Sequence, residues 1–181
     1  HIDASIYPVR NVDLSETDSL RLRATARFMD KIGIKLNMDE SYTDSLKGFF
    51  LDVHMSPTHL PMLNSILEPL ASIKVRSGEL DTMILRAVGR DYVSLGEMQM
   101  QYKNLNIQFL KNGIQEKTTF VTRVVTWAAN HLVLRKHNAK RTGTVYFPRF
   151  RDRSIFNYWV KMTLSGAASS VGVKKNRKLL K

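Results

Sequence analysis

Residues 20–39 read LRLRATARFMDKIGIKLNMD. Leu20, Leu22, Ala24, Ala26 and Phe28 alternate with Arg21, Arg23, Thr25 and Arg27. Successive side chains of a strand point to opposite faces, so this pattern spells one apolar face and one wet one. A tight turn at Asp30-Lys31 reverses the chain. Ile32, Ile34, Leu36 and Met38 then alternate with Gly33, Lys35, Asn37 and Asp39. Phe49, Leu51, Val53 and Met55, set against Phe50, Asp52 and His54, give a third strand. Such alternation is the mark of an antiparallel sheet with one solvated face.

The period then changes. Ser56-Pro57 reads as a helix start, with Ser56 as N-cap and Pro57 at the first helical position. Leu60, Leu63, Ile66, Leu67 and Leu70 follow at helical spacing, and Pro69 should end or kink the helix. Strand spacing resumes at Ile73 and Val75, with a bulge expected at Ser77-Gly78 and a turn near Gly89-Arg90-Asp91. Leu95 to Tyr102 reads as the next strand and Leu105 to Phe109 as its continuation after a kink at Lys103-Asn104. Asn112-Gly113 reads as a turn. Phe120, Val121, Val124, Val125, Ala128 and Leu132 form a second helical stripe, with Thr118 or Thr119 as its cap. A basic loop over 135–142 leads to a short strand from Thr144 to Phe150, and Pro148 puts that strand at an edge. Asp152 or Ser154 caps a last helix with the stripe Phe156, Trp159, Val160, Thr163, Leu164 and Ala167.

The fold class expected is α+β: a twisted, mainly antiparallel sheet of five to seven strands, open and groove-like, with two or three helices covering one face. With 181 residues, one α+β domain over 1–173 and a basic tail over 174–181 are expected. A chain of this length hides roughly 70% of its unfolded surface. There is no cysteine, which excludes a disulfide scaffold and a Cys-ligated zinc site. The chain opens on His1 rather than methionine, which reads as a tag or cloning remnant on a piece of a longer protein. No apolar run approaches the ~20 residues of a membrane-spanning helix.

Charge is segregated. Residues 1–134 carry 15 Lys/Arg and 15 Asp/Glu, whereas residues 135–181 carry 13 Lys/Arg and a single acid, Asp152, so the final quarter holds the whole net charge of +12. A segregated surplus makes a directional field aimed at something anionic. The candidate anion-binding residues fall in three groups: Lys136, Lys140 and Arg141; Arg149, Arg151 and Arg153, whose alternation would project them to one side of an extended segment; and Lys174, Lys175, Arg177 and Lys178. Tyr146, Phe147, Phe150, Tyr158 and Trp159 are interleaved among them. Aromatics among cations suit single-stranded nucleic acid and equally a membrane interface.

Nothing in the sequence spells catalysis. His54 and His59 flank the strand-to-helix turn with Asp52 nearby, but no HExxH or HxH pair exists. Glu79 and Asp81 share a strand face, where a solvated surface beside Arg76 and Arg86 explains them. No GxGxxG or Walker-type run occurs among the nine glycines. No cofactor and no metal are expected, and the protein reads as a non-enzyme.

The stretch LPMLNSILEPLASIKVRSGELDTMILRAVGRDYVSLGEMQMQYKNLNIQFLKN (residues 60–112), with the later TGTVYF and SIFNYWVKMTLSGAASSVG, resembles the C-terminal region of large AsmA-like bacterial envelope proteins of Bacteroidetes type. The resemblance covers about residues 49–180 through soft patterns, while the first 45 residues match only by alternation. It implies a periplasmic segment of a parent protein anchored in the inner membrane, whose long β-groove carries phospholipid acyl chains. The apolar face for those chains would comprise Leu63, Leu67, Met83, Leu85, Met98, Met100, Phe156 and Trp159, with the basic end meeting anionic headgroups or an acidic envelope partner. Nucleic-acid binding through the basic quarter is the alternative.

Overall fold

The structure is a computed structural model and describes residues 1–46, 48–110 and 135–172. The turn at Asn112-Gly113, the helical stripe at 120–132 with its Thr118 or Thr119 cap, and the tail cations Lys174, Lys175, Arg177 and Lys178 lie outside the described residues.

Eight strands form one antiparallel sheet: β1 (Ile2–Tyr7), β2 (Ser19–Phe28), β3 (Ile32–Ser41), β4 (Phe49–Met55), the two-residue β5 (Thr58–His59), β6 (Ile73–Gly89), β7 (Val93–Phe109) and β8 (Thr142–Pro148). The order is β1-β2-β3-β4-β6-β7-β8, with β5 paired to β6 off that path. Each strand lies beside its predecessor or across a short excursion, so the α+β reading of the alternation holds. A 3₁₀ turn (Leu60–Leu63), α1 (Asn64–Ala71) and α2 (Ile155–Ser170) supply the helical layer.

Register makes one face apolar across the whole sheet. Ile6, Leu22, Met38, Leu51, Ala87, Gly96 and Val145 stand in one row, each opposite the next. Exposure along that row falls from 55% at Ile6 to 6% at Met38 and 0% at Leu51 and Val145. The gradient has a simple cause: α1 packs on β6, and α2 packs on β8, β7 and β6, so the layer covers the β6–β8 side most completely.

Several local readings are corrected. Ser56 does not cap a helix. Ser56 N–H donates to the Gly33 carbonyl (2.9 Å), and Thr58 and His59 pair with Leu80 and Glu79 before the 3₁₀ turn begins. Pro61, not Pro57, occupies the helix-start position, where a missing N–H costs nothing. Pro69 remains inside the last turn of α1, which ends at Ser72 in the left-handed region. The expected bulge is present: pairing slips between Val75 and Glu79, and Gly78 has φ +145, with Leu60 and Leu105 close enough to leave no room for a side chain. The kink in β7 is Asn104, at φ 55. β1 has no counterpart in the sequence reading; the carbonyl of His1, just before it, accepts from Arg27 N–H (3.0 Å).

Helix α2 presents two different faces. Ser154, one of the two caps expected, closes its start, accepting from Asn157 N–H (3.2 Å). A face separate from the Phe156–Ala167 stripe is seated on the sheet. It contains Tyr158, Met162, Ser165, Gly166, Ser169 and Ser170, all buried. Small residues allow close approach: a Cβ on Gly143 would lie 2.7 Å from the Gly166 carbonyl oxygen. The serines also close the sheet edge. Thr144 N–H donates to Ser169 Oγ (2.9 Å) and Tyr146 N–H donates to Ser165 Oγ (3.2 Å), while Ser165 Oγ–H donates to the Tyr146 carbonyl (2.7 Å). The outward N–H of Thr144 and both outward backbone groups of Tyr146 are thereby satisfied by hydroxyls of the helix that follows β8.

Candidate functional site: an apolar cavity with a basic rim

Because the small-residue face of α2 sits down on β7 and β8, the expected stripe is left pointing elsewhere. Phe156, Trp159, Val160, Thr163, Leu164 and Ala167 form one wall of a cavity of 410 Å³. Leu63, Ile66, Leu67 and Leu70 of the 3₁₀ turn and α1 form the opposite wall. The floor is sheet: Ile34 and Leu36 of β3, Val53 and Met55 of β4, Met83 of β6 and Met100 of β7, among others. Thr163 is the one polar residue among those lining it, and its hydroxyl is turned back onto the Trp159 carbonyl (2.9 Å). Trp159 Nε1 is buried with no hydrogen-bond partner among the described residues, which leaves one donor on an otherwise apolar wall.

Of the eight residues expected on the apolar face, Leu63, Leu67, Met83, Met100, Phe156 and Trp159 line this cavity. Leu85 and Met98 do not. Both are fully buried in the core, and Met98 lies directly beneath Gly166 of α2. Alternation places residues on a face, but only the helix position decides which part of that face is sealed.

The cations separate into two groups at opposite ends of α2. At its C-terminal end, Arg135 N–H donates to the Val171 carbonyl (3.1 Å) and Leu105 N–H donates to the Lys136 carbonyl (3.0 Å). Val171 and Leu105 are themselves cavity residues, so the 135–141 loop is hydrogen-bonded to two residues of the cavity lining. Asn138 pins it there: its Nδ2 donates to the carbonyls of Met100 (2.7 Å) and Arg141 (2.9 Å), and its Oδ1 accepts from Arg141 N–H (2.9 Å). Tyr102 O–H donates to the Arg135 carbonyl (3.0 Å), and burial pushes the Tyr102 phenol up to about 12. Lys136 and Lys140 are exposed in this loop and Arg141 is half-buried. Neither Asn138 nor Tyr102 was singled out in the sequence, where a loop Asn and a strand Tyr carry no distinguishing signal.

At the N-terminal end of α2 the arginines are already engaged. Residues 149–153 form a turn, not the extended segment expected, because β8 stops at Pro148. Arg149 pairs with Asp91 (3.6 Å) and lies 5.5 Å from the centre of the Tyr158 ring. Arg151 lies over Tyr92 (5.9 Å) and Arg153 pairs with Asp152 (3.2 Å). Burial raises the Glu40 carboxyl, against the pull of the nearby Arg149.

The histidines do not converge. His54 Nε2 meets Asp52 (2.8 Å) and His59 Nδ1 meets Glu79 (2.6 Å). Asp81 pairs with Lys103 (3.6 Å), so Glu79 and Asp81 have separate partners, and both side chains are exposed. Among the described residues no group of three or more His, Asp or Glu gathers to hold a metal ion, and no helix is long and apolar enough to cross a membrane. No family model, curated protein or solved structure matches this chain.

Proposed function

We propose that this chain is a non-enzymatic lipid-binding segment, with an acyl chain held in the cavity and an anionic headgroup at the 135–141 loop. The observation that carries this is the juxtaposition of an almost wholly apolar cavity with a basic loop hydrogen-bonded to two of its lining residues. A volume of 410 Å³ falls in the ~300–1,000 Å³ range of small-molecule sites. Met55, Met83 and Met100 give the floor flexible thioether side chains that adapt to chains of varying length. The resemblance to AsmA-like envelope proteins supports the same reading, and with it a periplasmic location, an inner-membrane-anchored parent, and phospholipid or another anionic envelope lipid as partner. Engagement of Arg149, Arg151 and Arg153 with Asp91, Asp152 and two tyrosine rings leaves the nucleic-acid alternative with fewer cations than the sequence offered.

Fatty acids of increasing length, competed against a fluorescent acyl probe, test it. Each added methylene should tighten binding about fourfold, from ~0.8 kcal/mol per buried CH₂, until the cavity is full. Binding to anionic vesicles should exceed binding to neutral ones and fall with salt. Affinity independent of chain length, or equal binding to both vesicle types, contradicts the proposal.

A further inference from the structure

The two edges of the sheet are finished differently. β8 is closed by Ser165 and Ser169 and ends in Pro148. Among the described residues β1 has no such closure. Because His1 O accepts from Arg27 N–H, the odd-numbered residues of β1 aim their backbone groups at β2, and alternation turns those of Ile2, Ala4 and Ile6 outward. The strand carries no Lys, Arg or Pro, and its register against β2 is unbroken from Ile2 to Tyr7, so among the described residues Asp3 is the one charged side chain on this edge and no bulge or covering element blocks it. All six residues are exposed, with Ile2 at 74%. The edge is nevertheless held in place, since Tyr42 O–H donates to the Pro8 carbonyl (2.6 Å) just beyond it.

We propose that β1 pairs antiparallel with β1 of a second copy of this chain, about a two-fold axis beside Ala4. The strand is self-complementary in that register. Ala4 faces its own equivalent and Ile2 faces the partner's Ile6, so the pairing uses the outward backbone groups, each pair exchanging two hydrogen bonds. Ile2, Ala4 and Ile6 keep to the apolar side in both copies, and the apolar face runs unbroken across the junction. On the other side Asp3 meets Ser5 and His1 meets Tyr7, with no like charges opposed. A one-residue slip would set Ile2 against Ser5 and lose the match. The charge distribution agrees: the whole surplus lies in residues 135–181, whose described strand β8 is the opposite edge. Joining at β1 therefore keeps the β8 edges of the two copies farthest apart. A closed, isologous contact of this kind ends assembly at two. This inference does not depend on the lipid reading.

Sedimentation of the full chain over a concentration series tests it. The mass should rise to twice the 20.8 kDa of one chain, and Ala4→Pro should return it to a single chain. That N–H faces outward, so the substitution removes no β1–β2 hydrogen bond, and edge strands tolerate proline there. Ala4→Cys supplies a second readout in a chain with no cysteine. Facing Cα atoms of a hydrogen-bonded pair lie ~5.5 Å apart, within disulfide range, so mild oxidation should yield a covalent dimer. Leu46→Cys, exposed in the β3–β4 loop, should not. A single-chain mass at every concentration, a dimer that survives Ala4→Pro in folded protein, or equal cross-linking at positions 4 and 46 would overturn the proposal.

Discussion

The β1–β2 side of the sheet and the β6–β8 side are built on the same alternation but finished by different means. On the β6–β8 side, α2 brings small residues against β7 and β8, hydroxyls to the strand edge and a second, apolar face to the cavity. On the β1–β2 side the apolar row continues with no comparable cover among the described residues, and Ile6 is 55% exposed where Leu51 and Val145 in the same row are 0%. Periodicity therefore builds a face, while a helix of suitable composition turns part of it into core and leaves part of it as a binding wall. The two sides should respond differently to the same insult.

The largest contrast is expected from truncation along that face. Leu85→Ala should cost about 2–5 kcal/mol, the range for emptying a fully buried site, and Ile6→Ala under about 1 kcal/mol in the monomer. Equilibrium urea unfolding measures both, and equal losses would erase the distinction between the sides. Next comes the sealed edge. Ser165→Ala leaves the N–H and carbonyl of Tyr146 without their hydroxyl partner and should cost about 1–3 kcal/mol. It should also make β8 a new site of self-association, read as concentration-dependent mass in an Ala4→Pro background.

A smaller effect is expected at alkaline pH. Burial pushes the Tyr102 phenol from its ordinary value up to about 12. Its contribution to stability is complete below the unfolded value and is lost as pH rises through the folded one. Burial raises the Tyr158 phenol as well, so ultraviolet titration should show two phenolates appearing late, and Tyr102→Phe should remove one of them. The same substitution deletes the bond to Arg135, at about 1 kcal/mol. The smallest effect belongs to the wet face of the open side. Arg23 Nη2 and Asp39 Oδ1 are 2.7 Å apart, yet their side chains are 35% and 38% exposed. Asp39→Asn should shift stability by no more than about 1 kcal/mol, and less in high salt.

Much of this was legible in the sequence. The strands β2, β3, β4, β6 and β7 follow from period-two spacing, and the bulge at Gly78 and the kink at Asn104 from residues that tolerate unusual backbone angles. Six of the eight residues read as the apolar face line the cavity. What escaped has a common physical cause. Ser165, Gly166, Ser169 and Ser170 look like a helix dissolving into small polar residues, because hydrophobic periodicity does not register a face that packs through closeness and hydroxyl bonding. The apolar stripe, by contrast, is legible, and Phe156 and Trp159 from it line the cavity. The arginines at 149–153 were grouped with the other cations because charge is visible in sequence and the partners Asp91 and Tyr92 are remote in it. β1 carries the same alternation, Ile2, Ala4 and Ile6 against Asp3, Ser5 and Tyr7, but six residues beside a His1 read as a tag remnant do not stand out as a strand.

The central claim is that the cavity between α1, α2 and the sheet is a lipid site, and mass spectrometry of lipids extracted from the purified chain tests it most directly. Ala168 lines the cavity from α2, so Ala168→Trp should fill it while leaving the sheet intact. The account predicts anionic acyl lipid bound to the wild-type chain and depleted at least tenfold in the variant. No lipid in either protein, or equal amounts in both, would contradict it.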